Sequence, residues 1–259
     1  MNLNINGRKA IVCASSRGLG KACAMALAAE GCEVFINGRD ATSLKEAAMA
    51  IRDSTGLEVV QVVADLNTRA GREALLAACP APDILVTNNG GPPPGKFQDW
   101  DLECWQQALE ANMLSAVLLI QAVIEGMRER RFGRIVNITS AMVKSPRLPM
   151  GLSTAARAGL TAFSKALSVE VIRDNVTVNN LLPERIATDR LAFMTGQLAK
   201  HRGISQEEAR AEMLRPVPAR RFGTPDEFAA ACAFLCAAQA GYITGQNLQL
   251  DGGAYTGLI

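Results

Sequence analysis

The chain has 259 residues, of which 49% are hydrophobic and 20% are charged. This length and hydrophobic content suffice for one sizeable core, so we expect a single domain over residues 1–259. A net charge of +2, from 27 basic and 25 acidic residues, predicts neither a nucleic-acid partner nor attachment to an anionic membrane surface. No signal peptide or membrane-spanning stretch is predicted, and we expect a cytoplasmic protein.

Seven cysteines without a CxxC pair and a single histidine, His201, limit the chemistry of the chain. The cysteines fall mostly within apolar patterns, which is typical of reduced thiols in a core. One imidazole is too few for a transition-metal site built on histidines. We therefore expect no metal ion.

Short β-branched runs alternate along the chain with longer helical patterns. Strands are predicted at residues 10–14, 33–37, 58–64, 84–87, 134–139, 176–182 and 247–250, and helices at residues 19–30, 41–54, 68–79, 102–130, 154–173 and 225–239. This alternation predicts a three-layer α/β fold, a doubly wound, Rossmann-like parallel sheet of about seven strands. Residues 183–218 are predicted to be irregular and long enough to form a lid.

The loop after the first strand has features of a phosphate-binding turn. Residues 13–20 are Cys-Ala-Ser-Ser-Arg-Gly-Leu-Gly. Gly18 and Gly20 would let the backbone approach a pyrophosphate, and the following helix N-terminus supplies free N–H groups and a positive dipole. A two-glycine turn alone also fits a plain connection between strand and helix.

Further motifs occur in the same order as in the short-chain dehydrogenase/reductase family, which the chain resembles over essentially its whole length. After the glycine turn, they are Asp65, Asn88, Asn89, Asn112, Ser140, Pro183, Ile186, Thr188 and the ending Gly245-Gln246 to Asp251-Gly252-Gly253. The resemblance, especially to 3-oxoacyl-carrier-protein reductases, implies an NADP(H)-dependent oxidoreductase of a small molecule that assembles as a tetramer or dimer. It implies that the cofactor is bound by Ser15, Ser16, Arg17, Gly18, Leu19, Gly20, Arg39, Asp65, Leu66, Asn89, Gly90, Arg157, Pro183, Ile186 and Thr188.

The choice of cofactor is predicted from charge at the end of the second strand. An acidic residue in place of Gly38 would bind the ribose 2′-hydroxyl of NAD, but position 38 carries no acid. Arg39 beside it, together with Arg17, suits the 2′-phosphate of NADP(H). A solvated loop arginine is the alternative interpretation of Arg39. Ala14 stands where the family has a glycine, which is tolerable if residue 14 keeps a negative φ, and we expect cofactor binding to survive the change.

The chain departs from the family pattern where catalysis is expected. Ser140 lies thirteen positions before residue 153, which is the separation of the catalytic serine and tyrosine in similar reductases. Ser153 and Arg157 thus take the places of the tyrosine and lysine in Tyr-x-x-x-Lys, and the resemblance implies a catalytic set of Asn112, Ser140, Ser153 and Arg157. A serine hydroxyl is too weak an acid to replace a phenol, and arginine hardly ever loses its proton.

The source of the substrate proton is therefore open. Candidates are Tyr242 and Tyr255, if either reaches the pocket, and His201, whose ordinary pKa suits proton transfer near neutrality. Glu184 replaces the glycine that follows the proline in the family, and it is interpreted either as a lid residue facing water or as a catalytic group.

Two interpretations of function follow from these residues. One is an enzyme that reduces the carbonyl or conjugated enone of a small molecule with an atypical proton donor. The chain is similar to reductases of bacilysin biosynthesis, which perform a conjugate reduction and also lack the tyrosine. The other is a non-catalytic NADP(H)-binding sensor or oligomer partner whose active site has degenerated.

Overall fold

The computed structural model describes residues 2–258, and its seven strands form one parallel sheet. The strands are β1 (Lys9–Val12), β2 (Glu33–Gly38), β3 (Val60–Val63), β4 (Ile84–Thr87), β5 (Gly133–Ile138), β6 (Val176–Pro183) and β7 (Asn247–Leu250). Their order across the sheet is β3-β2-β1-β4-β5-β6-β7, and every neighbouring pair is parallel. The predicted doubly wound, Rossmann-like α/β fold is confirmed.

Helices cover both faces of the sheet. They are α1 (Gly18–Ala29), α2 (Ala41–Thr55), α3 (Arg69–Ala78), α4 (Leu102–Leu109), α5 (Ser115–Glu129), α6 (Gly151–Val171), α7 (Asp189–Arg202), α8 (Gln206–Leu214) and α9 (Pro225–Cys236). One apolar cluster joins the sheet to α1, α2 and α9, and a second joins it to α3, α5 and α6. The seven cysteines are free thiols, and six of them are buried.

The prediction of an irregular segment at residues 183–218 was wrong, because α7 and α8 occupy most of it. Both helices carry terminal signals. Gly203 ends α7 in the left-handed conformation, with a φ of 65°. Ser205 and Glu208 form a reciprocal capping box at the start of α8. The apolar pattern of these helices is weak, since few of their residues are buried, and this hid them from a search for periodicity.

The predicted helix at 102–130 is interrupted by a π-helical turn, Glu110–Leu114, between α4 and α5. By length and composition alone, the helical stretch Leu102–Glu129 could cross a membrane, with a mean hydropathy of 1.5. Half of its most apolar 18-residue segment is buried inside the protein. A helix that packs in a protein core can be equally long and apolar, so length and composition are weak evidence for a membrane span.

The carboxyl ends of β1, β4, β5 and β6 lie side by side. Strand order reverses between β1 and β4, and in such sheets ligands bind in the crevice at this switch point. The loops that follow these four strands therefore surround the candidate site.

Candidate active site

The turn between β1 and α1 provides a cradle for an anion. Gly18 has a φ of 58°, in the region that favours glycine. A Cβ atom on Gly20 would lie 2.4 Å from the carbonyl oxygen of Ala14, so only glycine fits there. Arg17 caps α1 without a side-chain hydrogen bond, which leaves the first backbone N–H groups of the helix available. This geometry suits a pyrophosphate.

Ala14 has a φ of 45°, so the condition of a negative φ at this position is not met. Its backbone N–H donates to Asn37 Oδ1 over 3.3 Å, and its carbonyl accepts from Asn88 Nδ2 over 3.2 Å. For a residue with a Cβ this conformation costs roughly 1–2 kcal/mol. The two asparagines hold the turn in its strained form and tie it to the loop after β4.

The end of β2 lies directly against the same turn. A Cβ atom on Gly38 would lie 3.1 Å from Ser16 Cβ, so a longer side chain at this position would crowd the turn. The hydroxyl of Ser15 is buried and donates to the carbonyl of Val12. Arg17 and Arg39 are exposed. The two predicted phosphate cations are therefore free to meet a ligand at this edge.

Four further predicted cofactor residues lie in neighbouring loops. Thr188 lies in ordinary van der Waals range of the Cβ position of Gly18, and it begins α7 without a side-chain capping bond. Asp65 accepts the backbone N–H of Asn67, whose side chain in turn accepts from Asn89 Nδ2 over 2.8 Å. Leu66 is buried beneath this link. The structure thus joins the loops after β3 and β4.

A directional chain of hydrogen bonds connects the predicted catalytic residues. Arg157 Nε donates to Ser153 Oγ over 3.1 Å, and the Ser153 hydroxyl donates to Asn112 Oδ1 over 2.7 Å. Asn112 Nδ2 then donates to the carbonyl of Gly90 over 3.1 Å. The guanidinium can only donate and the final carbonyl can only accept, so the direction of every bond is fixed. The Ser153 proton is therefore committed to Asn112.

Arg157 also binds the ends of two strands. Its Nη1 donates to the carbonyls of Ile138 and Thr139 over 2.6 and 3.2 Å, and its Nη2 donates to the carbonyl of Asn89 over 3.2 Å. Burial lowers the pKa of the Arg157 guanidinium to about 10, with a further contribution from the like charge of Arg190. The group remains charged at neutral pH. It places a fixed positive charge at the carboxyl ends of β4 and β5.

Ser140 follows β5 directly, next to the Thr139 carbonyl that Arg157 binds. Its Oγ accepts the backbone N–H of Met142 over 3.1 Å and begins a short 3₁₀ turn. This bond fixes the oxygen but uses no proton of the hydroxyl, which can still donate to a substrate oxygen. Ser140 is thus a better hydrogen-bond donor to a ligand than Ser153.

The π-helical turn explains how Asn112 reaches this position. Such turns often occur at functional sites, because the extra residue redirects a side chain. Asn112 is buried in the turn. Gly91 lies over the pair, since a Cβ atom there would be 3.1 Å from both Asn112 Oδ1 and Ser153 Oγ. Sequence reasoning missed Gly91, although the double glycine after Asn89 was a visible signal.

Glu184 does not simply face water, as one interpretation had it. Its side chain is 9% exposed and accepts hydrogen bonds through Oε1 from both Arg147 and Arg185. Arg147 belongs to the loop after β5, and Arg185 follows β6. These three residues, named the Arg147–Glu184–Arg185 cluster, connect the two loops beside Ser140 and Pro183.

The other candidate proton donors differ in placement. Tyr242 is 98% exposed, so the idea that it reaches the pocket was wrong. His201 is exposed in the last turn of α7. Tyr255 stacks beneath the Lys144 ammonium, which is 5.2 Å from the ring centre. Within residues 2–258, no group of three or more His, Cys, Asp or Glu side chains has an arrangement that could hold a metal.

Comparison with known proteins identifies the family. Residues 13–255 match the sequence profile of a protein family described as enoyl-(acyl carrier protein) reductase. The NADPH-dependent reductase BacG of Bacillus subtilis (strain 168) is 32% identical over 252 residues, which cover 95% of this chain and 97% of that protein. The chain belongs to the short-chain dehydrogenase/reductase family.

Other members of the short-chain dehydrogenase/reductase family agree with this assignment. The 3-oxoacyl-[acyl-carrier-protein] reductase FabG of Vibrio cholerae serotype O1 is 36% identical over 257 residues, covering 98% of this chain and 99% of that protein. The L-sorbose reductase of Gluconobacter frateurii, solved with NADPH and L-sorbose, matches with a TM-score of 0.94 and 31% identity over the full length of both chains. The predicted FabG-like character is confirmed, and this short-chain dehydrogenase/reductase is an oxidoreductase.

Proposed function

We propose that the protein is an NADPH-dependent reductase that delivers hydride to the conjugated enone of a small molecule, without a tyrosine acid. The observation that carries the proposal is the bond from Ser153 to Asn112. In the register set by Ser140, Ser153 stands where the family has its proton-donating phenol. The Ser153 residue is 6% exposed and its hydroxyl is bonded on both sides, so a reaction that needs little help from an acid fits this site best.

The residues of the chain fit NADPH, which supplies the hydride when bound. Gly20 and the free start of α1 suit the pyrophosphate, and Arg17 and Arg39 suit the 2′-phosphate. BacG is an NADPH-dependent reductase, and the L-sorbose reductase binds NADPH in its structure. Asp65, Leu66, Asn89, Gly90, Pro183, Ile186 and Thr188 complete the proposed cofactor site, and Arg157 lies within it.

The reduction proceeds through charge on the carbonyl oxygen. Addition of hydride to the β-carbon moves the electrons of the C=C bond toward that oxygen and forms an enolate. The Ser140 hydroxyl and the charged Arg157 stabilise the developing negative charge. Water then gives a proton to the α-carbon, and the saturated ketone is released. One enone, one NADPH and one proton thus give one ketone and one NADP⁺.

Asn112 and Ser153 act as positioning residues in this scheme. Their bonds hold Arg157 against the ends of β4 and β5 and hold the Gly90 carbonyl in the cofactor loop. Reduction of a simple ketone is a second candidate, favoured by the similarity of the chain to an L-sorbose reductase and to 3-oxoacyl-[acyl-carrier-protein] reductases. It requires an acid for the alkoxide, with Tyr255 as the candidate near Lys144.

The test follows NADPH absorbance with an enone, such as benzylideneacetone, and with the matched saturated ketone. We expect turnover of the enone, and deuterium from labelled NADPH at the β-carbon of the product. Ser140→Ala should lower kcat by about 100-fold. Ser168→Ala, a buried serine of α6 outside the site, is the matched control and should keep the wild-type rate. Tight NADPH binding without turnover of either compound would instead identify a sensor.

We also propose a homo-oligomer, a tetramer or dimer, in the cytoplasm. Support comes from a groove of about 380 Å³ between α5 and α6, whose apolar lining includes Ile120, Ile124, Phe163 and Leu167. Val169, which also lies on α6, has an exposed apolar side chain. Light scattering during gel filtration measures the mass in solution, and a monomer at micromolar concentration would contradict the proposal.

A further inference from the structure

The Arg147–Glu184–Arg185 cluster carries an excess positive charge on the loops that follow β5 and β6. Two guanidinium groups share one oxygen of one carboxylate. In the described chain, residues 2–258, no other carboxylate lies within 4.0 Å of either guanidinium. The Arg185 side chain is 12% exposed and that of Glu184 is 9% exposed, whereas the Arg147 side chain is 53% exposed, so the Glu184–Arg185 pair is shielded from water and Arg147 is open to a ligand. The net charge of the cluster is +1.

The cluster is built at a backbone cost. Arg185 has a φ of 53°, which is strained for a residue with a side chain. Its carbonyl accepts the N–H of Gly223, and the N–H of Ala187 donates back to the Gly223 carbonyl, so the strained turn is held from both sides. Burial lowers the pKa of Arg185, the charge of Glu184 opposes this effect, and the like charge of Arg147 adds to it. A clamp between the two loops would need only one arginine.

The loop at residues 141–150 places an apolar surface next to the cluster. Leu148 follows Arg147 directly and is 66% exposed. On its other side, the Pro149 carbonyl accepts the N–H of Gly95 over 2.9 Å, which joins this loop to the one after β4. Trp100 from that second loop packs against Gly151 at the start of α6. The loop at residues 141–150 therefore has Arg147 of the cationic cluster near one end and the Trp100 ring at the other.

Two more exposed apolar side chains follow the strands of the sheet, one in the loop after β4 and one on α7. Phe97 stands edge-on to Trp100 with ring centres 6.2 Å apart, and Phe193 projects from α7. Large exposed apolar side chains commonly belong to a surface that binds an apolar ligand. The combination of this surface with an unneutralised guanidinium fits a ligand that has an apolar body and one anionic end.

We propose that the Arg147–Glu184–Arg185 cluster binds a carboxylate of the substrate, and that the apolar side chains of the surrounding loops bind its ring or hydrocarbon body. This inference rests on the proposed function, because it names the substrate class of the same site. Planar guanidinium groups suit carboxylates through paired N–H donors. Glu184 holds the two arginines together without cancelling their charge.

The experiment compares 4-(3-oxobut-1-enyl)benzoic acid with its methyl ester as substrates with NADPH. The two compounds share the enone and the ring and differ in the negative charge. We expect kcat/KM for the acid to exceed that for the ester by about tenfold or more, mainly through KM. Arg147→Gln and Arg185→Gln should each reduce this ratio toward one. Arg69→Gln, an exposed arginine of α3, is the control that keeps the wild-type ratio.

Glu184→Gln separates a ligand site from a clamp between loops. It keeps a hydrogen-bonding side chain but raises the net charge of the cluster to about +2, so the preference for the acid should rise. If Glu184→Gln lowers the preference as much as Arg147→Gln does, the cluster is a clamp and the proposal is overturned. Equal kcat/KM for acid and ester in the wild-type protein overturns it as well.

A binding measurement keeps this proposal distinct from the proposed reaction. Equilibrium dialysis of the acid and the ester against the NADPH complex needs no turnover. Tighter binding of the acid that depends on Arg147 supports the anion site even if no enone is reduced, in which case only the proposed reaction fails. Benzoate should compete with the acid. Competition by inorganic phosphate at equal concentration would assign the cluster to phosphate and overturn the carboxylate assignment.

Discussion

Replacing Ser153 by alanine tests the role of its hydroxyl. This hydroxyl accepts from Arg157 Nε and donates to Asn112 Oδ1, and its residue is almost fully buried. Alanine removes both bonds and introduces no replacement. Asn112 Oδ1 and Arg157 Nε then lose a partner inside the protein, where water reaches them poorly.

The magnitude follows from the two groups left without a partner. Each buried polar group that loses its bond costs roughly 1–3 kcal/mol, so the free energy of unfolding should fall by about 3 kcal/mol. For a chain of this length, about 1 kcal/mol corresponds to roughly 2–4 °C in Tm. We therefore expect Tm to fall by about 6–12 °C. The kcat should fall as well, because Asn112 and Arg157 lose their fixed positions.

The assays are calorimetry for Tm and the pH profile of kcat for the enone. Ser168→Ala is the control, because its hydroxyl bonds only to the nearby Lys165 carbonyl on the same helix and its loss should cost about 1 kcal/mol. Ser153→Thr keeps the hydroxyl and should restore most of the rate. If Ser153→Ala keeps the wild-type Tm and NADPH affinity but removes one limb of the pH profile, the hydroxyl is an acid and the assignment to positioning is refuted.

Three further changes probe the cofactor turn. Arg39→Ala should raise the Kd for NADPH by about 10–100-fold and leave that for NADH unchanged, as measured by fluorescence titration, because a charge-assisted bond to the 2′-phosphate is lost. Gly20→Ala should abolish NADPH binding, since its Cβ would lie 2.4 Å from the Ala14 carbonyl. Ala14→Gly should raise the free energy of unfolding in urea by up to about 1 kcal/mol, because glycine relieves the strain of the positive φ.

Matched controls make these outcomes decisive. Arg52→Ala, on α2, should leave both nucleotide affinities as they are. Ala158→Gly, in the exposed interior of α6, should destabilise the protein by about 1 kcal/mol, opposite in sign to Ala14→Gly. An equal loss of NADPH and NADH binding in Arg39→Ala would contradict the predicted role of that arginine.

The sequence predicted the fold well because strand and helix patterns in this chain agree with the tertiary structure. All seven strands occur where β-branched runs indicated them, and Asn112, Ser153 and Arg157 lie in direct contact, as the register of the motifs required. Local patterns could not reveal the hydrogen bonds between these side chains. The donors and acceptors come from α4–α5, α6 and two loops, which meet only after the sheet has formed.

Other features depended on contacts distant in sequence. The positive φ of Ala14 is enforced by Asn37 and Asn88, which belong to two other strand ends. One interpretation placed Glu184 in water, but its carboxylate accepts a hydrogen bond from Arg147, which is 37 residues away in the sequence. Helices α7 and α8 have no strong apolar periodicity, so the sequence pattern did not predict them. Their local signals are Gly203 at the end of α7 and Ser205 at the start of α8.

The hydrogen-bond chain from Arg157 to Gly90 also limits how the protein can change during evolution. A single Ser153→Tyr substitution would break the chain, because the Ser153 hydroxyl links Arg157 to Asn112. A Tyr-x-x-x-Lys pair at positions 153 and 157 would therefore require both residues to change together, since Arg157 donates to the oxygen that the first change removes. Each single step passes through a less stable protein, so the serine and the arginine persist or disappear as a pair.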